Sequence, residues 1–333
     1  MVSATIKLAN VSPEFDGRSL PAYALLALIG LGTVASFGLG RVDVSAVFQL
    51  WALELAVLLV FVAVMLRRAG HARIATAIET NAVYVLMAVL LVPVQFPLAT
   101  FGLPMTDRFL LNADHALGFD WLTFAHFFDS TGALALLSKA YFSMNWQAPA
   151  TLVALAASGR LDRAWSFVIA AILVFTIAVA LFPLFPADGT YVLCGLRPPE
   201  IPIVGYLCEY PSVLQGLRDG TLTALDPQMA VGMVTFPSAH AGLALLFIWA
   251  IWPIWWLRVP SILLNVALCT GAIVIGSHYF VDILGGVALG LGCIKLAATM
   301  GTPQARRVEA VVIWAAMVVL LGAMIIPPFP GML

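Results

Sequence analysis

Apolar residues dominate this chain in long stretches, nine of which are bounded by charged, proline or glycine residues. They run from Leu20 to Gly40, Ala46 to Leu66, Ile78 to Phe96, Gly132 to Ala157, Ala164 to Leu184, Ser238 to Leu257, Pro260 to Gly276, Phe280 to Ala298 and Ala310 to Ile326. Each is close to the ~20 residues that a helix needs to cross the hydrocarbon layer. Helix is the expected form, because inside lipid every backbone N–H and C=O must be satisfied within its own segment. The first stretch is longer than a signal-peptide core and no small-residue cleavage site follows it, so it reads as retained. The pattern predicts an all-α, polytopic integral membrane protein with about nine transmembrane helices.

Composition points the same way. Of 333 residues, 62% are apolar and 10% charged, whereas soluble domains average about 25% charged. The net charge of −1 leaves no basic excess of the kind that binds nucleic acid. Lys and Arg nonetheless fall unevenly. Lys7, Arg18, Arg67, Arg68, Arg73, Arg160, Arg163, Arg258, Lys295, Arg306 and Arg307 all lie on one side when the chain alternates through nine spans. By the positive-inside rule the amino terminus is cytoplasmic and the carboxyl terminus outside.

Two outer segments are not simple turns. Residues 101–131 interleave Phe109, Leu110, Trp121 and Phe124 with Asp107, Asp114, Asp120 and His126, which suits either a helix lying in the membrane interface or a partly irregular loop. The second, 185–236, is rich in proline and long for a connection, so a functional loop or lid is expected. Cys194 and Cys208 both lie in it. Facing an oxidising compartment, they are expected to form a disulfide, whereas Cys269 and Cys293 lie within spans.

Ionisable groups at membrane depth are costly, so each needs a reason. The densest group is Thr235-Phe236-Pro237-Ser238-Ala239-His240-Ala241-Gly242 together with Gly276-Ser277-His278-Tyr279-Phe280-Val281-Asp282. Between the two histidines lie two apolar runs of about 17 residues joined by a turn at Arg258 to Pro260. Each run rises about 26 Å, so the chain descends and climbs back, and both imidazoles finish on the outer face. His278 and Asp282 are four apart on one helix face; the carboxylate is expected to fix the tautomer of His278 and free its other nitrogen as base or nucleophile. Ser238 stands where a helix starts, and a helix N-terminus binds anions. Two histidines, a carboxylate and an anion cradle suit phosphoryl transfer. A metal site of two histidines and one carboxylate is the rival reading of the same residues.

These motifs resemble those of the type 2 phosphatidic acid phosphatase superfamily. Phe236 to Gly242 is similar to its second motif, Pro-Ser-Gly-His, and Ser277 to Asp282 to its third, His-x-x-x-Asp. The run His-Tyr-Phe-Val-Asp is closer to the branch of inositol phosphorylceramide synthase and its bacterial relatives. The resemblance implies a six-helix core within residues 132–298, including the outer loop 185–236. Residues 1–100 then supply three accessory spans, and 299–333 one more. It further implies that His278 is the nucleophile, Asp282 its orienting partner and His240 the acid–base, with no cofactor and no metal. The phosphatase pattern is incomplete: Ala272 stands where its third motif has an arginine, and Thr190 where its first motif has a lysine, although Arg197-Pro198 fits. Positive charge for a phosphate is therefore expected from Lys139, about seven residues inside the fourth span, or from Arg197. Snorkelling and a solvated loop charge are the plain alternatives.

The expected activity is a membrane phosphotransferase. It moves a phosphoryl or phospho-headgroup, phosphoinositol among them, from a phospholipid or polyprenyl phosphate to a hydroxyl acceptor at the outer leaflet of a bacterial plasma membrane. With water as acceptor the same site is a lipid phosphatase. A proton-coupled transporter is the alternative from another class, since Glu54, Lys139 and Asp282 are what a proton relay would leave; no inverted repeat accompanies them. Gly285, Gly286, Gly290 and Gly292 read as helix packing.

Overall fold

A computed structural model describes residues 19–38, 42–45, 50–194, 210–226, 229 and 232–300. Arg197, Cys208 and the expected span Ala310 to Ile326 lie outside the described residues. The described chain is all-helical: α1 (Leu20–Gly38), α2 (Leu50–Arg68), α3 (Ala72–Ala99), α4 (Asp107–Ala116), α5 (Trp121–Ser130), α6 (Leu134–Phe142), α7 (Met144–Ala157), α8 (Leu161–Leu181), α9 (Thr190–Leu193), α10 (Tyr210–Arg218), α11 (Ala239–Ile251), α12 (Arg258–Val274) and α13 (Phe280–Thr299). Four helical segments among the described residues are long and apolar enough to cross a membrane: Ala72–Ala99, Leu161–Leu184, Trp255–Val274 and Phe280–Thr299. The chain has the character of a membrane protein.

At the centre stands α8. Its residues from Ala164 to Val174 are buried almost without interruption, as expected for a helix that is apolar all round. Leu25 and Ile29 of α1, Met87 and Leu91 of α3, Leu152 of α7, Leu243 and Phe247 of α11, and Cys293 of α13 join it in one core. The first spans thus pack into the same core as the motif-bearing helices. Among their buried polar residues is Glu79 of α3, fully buried, which accepts a hydrogen bond from the Tyr23 hydroxyl at 2.6 Å and pairs with Arg67. A buried carboxylate needs such partners, and these tie α1, α2 and α3 together. Glu54, by contrast, is exposed on α2.

The expected fourth span is not one helix. It breaks at Ser143 into α6 and α7, where the Ser143 hydroxyl bonds the Ala140 carbonyl. Pro149 in α7 has no N–H to offer the turn before it, which weakens the helix there. The break is locked from outside: Gln147 donates to Ser143 Oγ at 2.8 Å, and Asn265 of α12 donates to Gln147 Oε1 at 3.0 Å.

Glycines set the closest helix contacts. A Cβ on Gly286 would stand 2.2 Å from the Ser238 carbonyl, one on Gly290 3.0 Å from the Gly242 carbonyl, and one on Gly271 2.4 Å from the Leu137 carbonyl. Gly285 lies equally tight against Phe236, whereas Gly292, expected to pack, faces open space. Backbones can approach this closely only where a side chain is absent, so α13 lies directly against the start of α11.

The two segments expected on the outer side carry helices among the described residues. Residues 107–130 form two short helices, α4 and α5, with Trp121 fully buried and its indole N–H donated to the Ile273 carbonyl at 2.6 Å. Within the segment 185–236, α10 buries Val213, Leu214 and Leu217 against Phe96, Leu98 and Phe182.

Candidate active site

Two helix starts converge. Ser238 caps α11 with extended backbone, its hydroxyl accepting the Ala241 N–H at 3.3 Å, and His240 follows in the first turn. Gly276, with φ of +79°, turns the chain from α12 into the short strand of residues that carries His278 before α13. Only glycine fits: besides the positive φ, a Cβ would stand 2.8 Å from that of Tyr191.

The two histidines meet. His240 Nδ1 lies 3.2 Å from His278 Nε2, and Ser238 Oγ lies 3.3 Å from the same nitrogen. On the other side of the ring, His278 Nδ1 is 3.0 Å from the Thr235 carbonyl and 3.6 Å from Asp282 Oδ2. A carbonyl only accepts, so Nδ1 carries the proton and Nε2 its lone pair. Asp282, expected to fix the tautomer, does face Nδ1. The nearer partner is the main chain, and Asp282 Oδ2 accepts the Tyr279 N–H at 2.7 Å. The other oxygen of Asp282 is buried with no hydrogen-bond partner among the described residues.

The start of α13 is closed by carboxylates. Asp114 Oδ2 and Oδ1 accept the N–H groups of Phe280 at 2.9 Å and Val281 at 2.8 Å, while Asp282 takes that of Tyr279. These are the donors that a helix start leaves unpaired, so no anion finds them free. Asp107, also on α4, accepts the Asp188 and Gly189 N–H groups at 3.0 Å each and the Tyr279 hydroxyl at 2.8 Å. Through these two residues α4 clamps the segment that carries His278. The sequence offers an interfacial helix or an irregular loop for this segment and names no partner for either carboxylate. Their spacing of seven, which places them on one face of a helix, is the signal that was there to be used. Burial holds the Asp114 carboxyl above the usual range despite its two N–H partners.

A cavity of about 400 Å³ opens beside the pair. His240, His278, Ser277 and Asp188 line its polar end, and Met87 and Leu91 of α3 with Phe175 of α8 its apolar wall. His240 stacks on Tyr141, with ring centroids 4.4 Å apart and an interplanar angle of 22°. Asp188 has its carboxyl pushed up to about 6, first by burial and then by Asp107.

The remaining expectations fare unevenly. Ser238 is fully buried and touches His278 from behind the cavity wall, where it serves as a helix cap. Lys139 is exposed on α6 and does not line the cavity, so the premise of a buried ammonium is not met. Cys194 is exposed, and its expected partner Cys208 lies outside the described residues. The contribution of α3 to the cavity went unread, because its lining residues are apolar and carry no motif.

No curated protein and no solved structure matches the chain. Residues 108–296 match the family model of the PAP2 superfamily; that match takes in α4, both histidine motifs and more than half of the chain, which therefore belongs to the PAP2 superfamily.

Proposed function

We propose that the protein is a membrane phosphotransferase that moves a phosphoryl or phospho-headgroup from a lipid donor to a hydroxyl acceptor through a phosphohistidine. Members of the PAP2 superfamily are generally phosphatases or phosphotransferases. The observation that carries the reading is the 3.2 Å approach of His240 Nδ1 to His278 Nε2, with the far nitrogen of His278 held by a carbonyl.

In this reading, a donor phosphate takes the place now filled by the contact between the rings. The Nε2 lone pair of His278 attacks phosphorus, and the bond from phosphorus to the lipid oxygen breaks. His240, stacked on Tyr141, gives that oxygen a proton. The phosphoimidazole carries positive charge, which the Asp282 carboxylate, 3.6 Å from Nδ1, stabilises. The acceptor hydroxyl then gives its proton to His240, its oxygen attacks phosphorus, and the bond from nitrogen to phosphorus breaks. The N-terminus of α11 supplies partial positive charge. Lys139 and Arg197 are not needed for these steps. With water as acceptor the sequence of steps is hydrolysis.

Placement of both motifs at the outer leaflet follows from the uneven distribution of Lys and Arg. A mechanism without metal is supported by geometry: His240 and Asp282 face opposite nitrogens of the His278 ring, so a single ion cannot touch all three. The decisive experiment incubates the purified protein with labelled phospholipids and polyprenyl phosphates, candidate alcohols and EDTA. A new phospho-adduct supports transfer, and inorganic phosphate alone supports the phosphatase. Activity abolished by chelation and restored by zinc or manganese would overturn the covalent mechanism.

A further inference from the structure

The polar end of the cavity holds a carboxylate that the proposed steps do not use. Asp188 lines the same cavity as His240 and His278. Its Oδ2 accepts the Gln215 amide at 3.1 Å, and its Oδ1 is buried with no hydrogen-bond partner among the described residues. The carboxylate is held firmly. Asp107 takes the N–H groups on both sides of the Asp188 side chain. Thr235 Oγ1 donates to the Ala187 carbonyl at 3.1 Å, and the carbonyl of that same threonine faces His278 Nδ1. Thr190 Oγ1 donates to the Gly276 carbonyl at 3.2 Å. The segment bearing Asp188 is therefore bonded to both segments bearing the histidines.

An ionised carboxylate only accepts. A buried, unpaired acceptor is unfavourable until a donor arrives, and no Lys or Arg among the described residues lines the cavity to supply one. A second anion would be repelled at that position, whereas a hydroxyl group matches it. We propose that Asp188 binds hydroxyl groups in a polyol subsite beside the histidine pair, so that the group recognised there is an uncharged polyhydroxylated alcohol such as a cyclitol or sugar. Asn145 at the cavity wall adds an amide able to donate and accept. The inference names the alcohol of the proposed transfer and in that respect rests on that reading, but the subsite is a binding property and is testable without turnover. The polyol enters either as the free acceptor or as the head group of the donor, since both present the same hydroxyls.

The test measures binding by the full chain in nanodiscs, using myo-inositol and mannose as free polyols, n-butanol as the monohydric control, and phosphatidylinositol against phosphatidic acid as lipid ligands. The wild type is expected to bind a polyol. Asp188→Asn is expected to weaken that binding about tenfold or more, the scale of a hydrogen bond to a charged group, and Asp188→Glu to recover part of it. Binding of a free polyol assigns the acceptor; binding of phosphatidylinositol alone assigns the donor head group. If the Asp188 variants do not fold, Gln215→Leu keeps the carboxylate but releases Oδ2, and is expected to weaken binding severalfold. Equal polyol binding by the folded variants, or none by the wild type, overturns the subsite. A wild type that binds polyol through Asp188 but makes no phospho-adduct overturns the transferase reading and leaves the subsite standing.

Discussion

His278 turns its Nδ1 to the main-chain carbonyl of Thr235, at 3.0 Å, more closely than to the carboxylate of Asp282, at 3.6 Å. The tautomer is thus held by a group that no side-chain substitution removes, and Asp282 supplies charge behind the ring and a cap for Tyr279.

That division sets the relative cost of two substitutions. His278→Ala is expected to abolish turnover and labelling of the protein by donor phosphate. Asp282→Asn keeps an acceptor for the Tyr279 N–H and leaves the Thr235 contact intact, but loses the charge that steadies a phosphoimidazole. A partial loss is expected, well short of the ~10⁴-fold typical where the carboxylate itself sets the tautomer of a catalytic histidine. Single-turnover rates on one lipid donor check both. A loss equal to that of His278→Ala would mean that Asp282, not Thr235, holds the tautomer.

Asp114 acts at a distance, through the helix start it caps. Asp114→Ala leaves the Phe280 and Val281 N–H groups without acceptors, and a lost cap costs about 1–2 kcal/mol. The variant is expected to melt several degrees lower and to lose activity, because His278 stands two residues before the freed turn. Asp114→Asn retains one acceptor and should fall between. Melting curves and turnover at a temperature where both variants are folded separate the loss of stability from the loss of geometry.

Asp188 gives a signature in pH. Its folded carboxyl sits at about 6, raised first by burial and next by Asp107, with Gln215 and Arg218 pulling the other way; a free aspartate titrates near 3.9. The folded state therefore holds the proton more tightly than the unfolded chain. This contribution to stability is fully present below about pH 4 and is lost as pH rises through about 6. Asp188→Asn, which cannot ionise, is expected to melt above the wild type at pH 8, with the gap closing by pH 4. Parallel melting curves at both pH values would contradict it.

Much of this architecture is legible in the sequence, and the gaps have physical causes. The apolar runs lie where α3, α8, α12 and α13 form, because in a nonpolar medium the backbone can satisfy itself only as helix. The contact of His240 with His278 follows from two apolar runs of opposite direction, although α11 has 13 residues and α12 has 17. What local pattern does not carry is the partner of a charge. Asp107 and Asp114 have no visible partner, whether on an interfacial helix or in a loop, until α4 folds onto the start of α13. Lys139 looks buried by its position in an apolar run, yet the break at Ser143 leaves it on the exposed face of a short helix. The lining supplied by α3 is invisible for the opposite reason, since Met87 and Leu91 look like any core residue.

Gly286 offers a last test, of packing close to the chemistry. Its missing Cβ lets the backbone of α13 lie against the Ser238 carbonyl, where an added methyl carbon would stand 2.2 Å away, and 2.9 Å from the Ala241 Cβ. The neighbour is backbone at the capped start of α11, held by the Ser238 N–H bonded to the Asp282 carbonyl at 3.1 Å, so it cannot turn aside as a side chain would. Gly286→Ala must therefore push α13 from α11, lengthening the distance between Asp282 and Ser238 and with it the contact of His240 with His278. Overpacking of this kind costs about 1–3 kcal/mol. The expected result is a lower melting temperature together with a loss of turnover of at least tenfold. Gly292→Ala, on the same helix but facing open space, is expected to leave both unchanged. Equal behaviour of the two variants in melting and turnover would show that close approach of the helices does not set the geometry of the site.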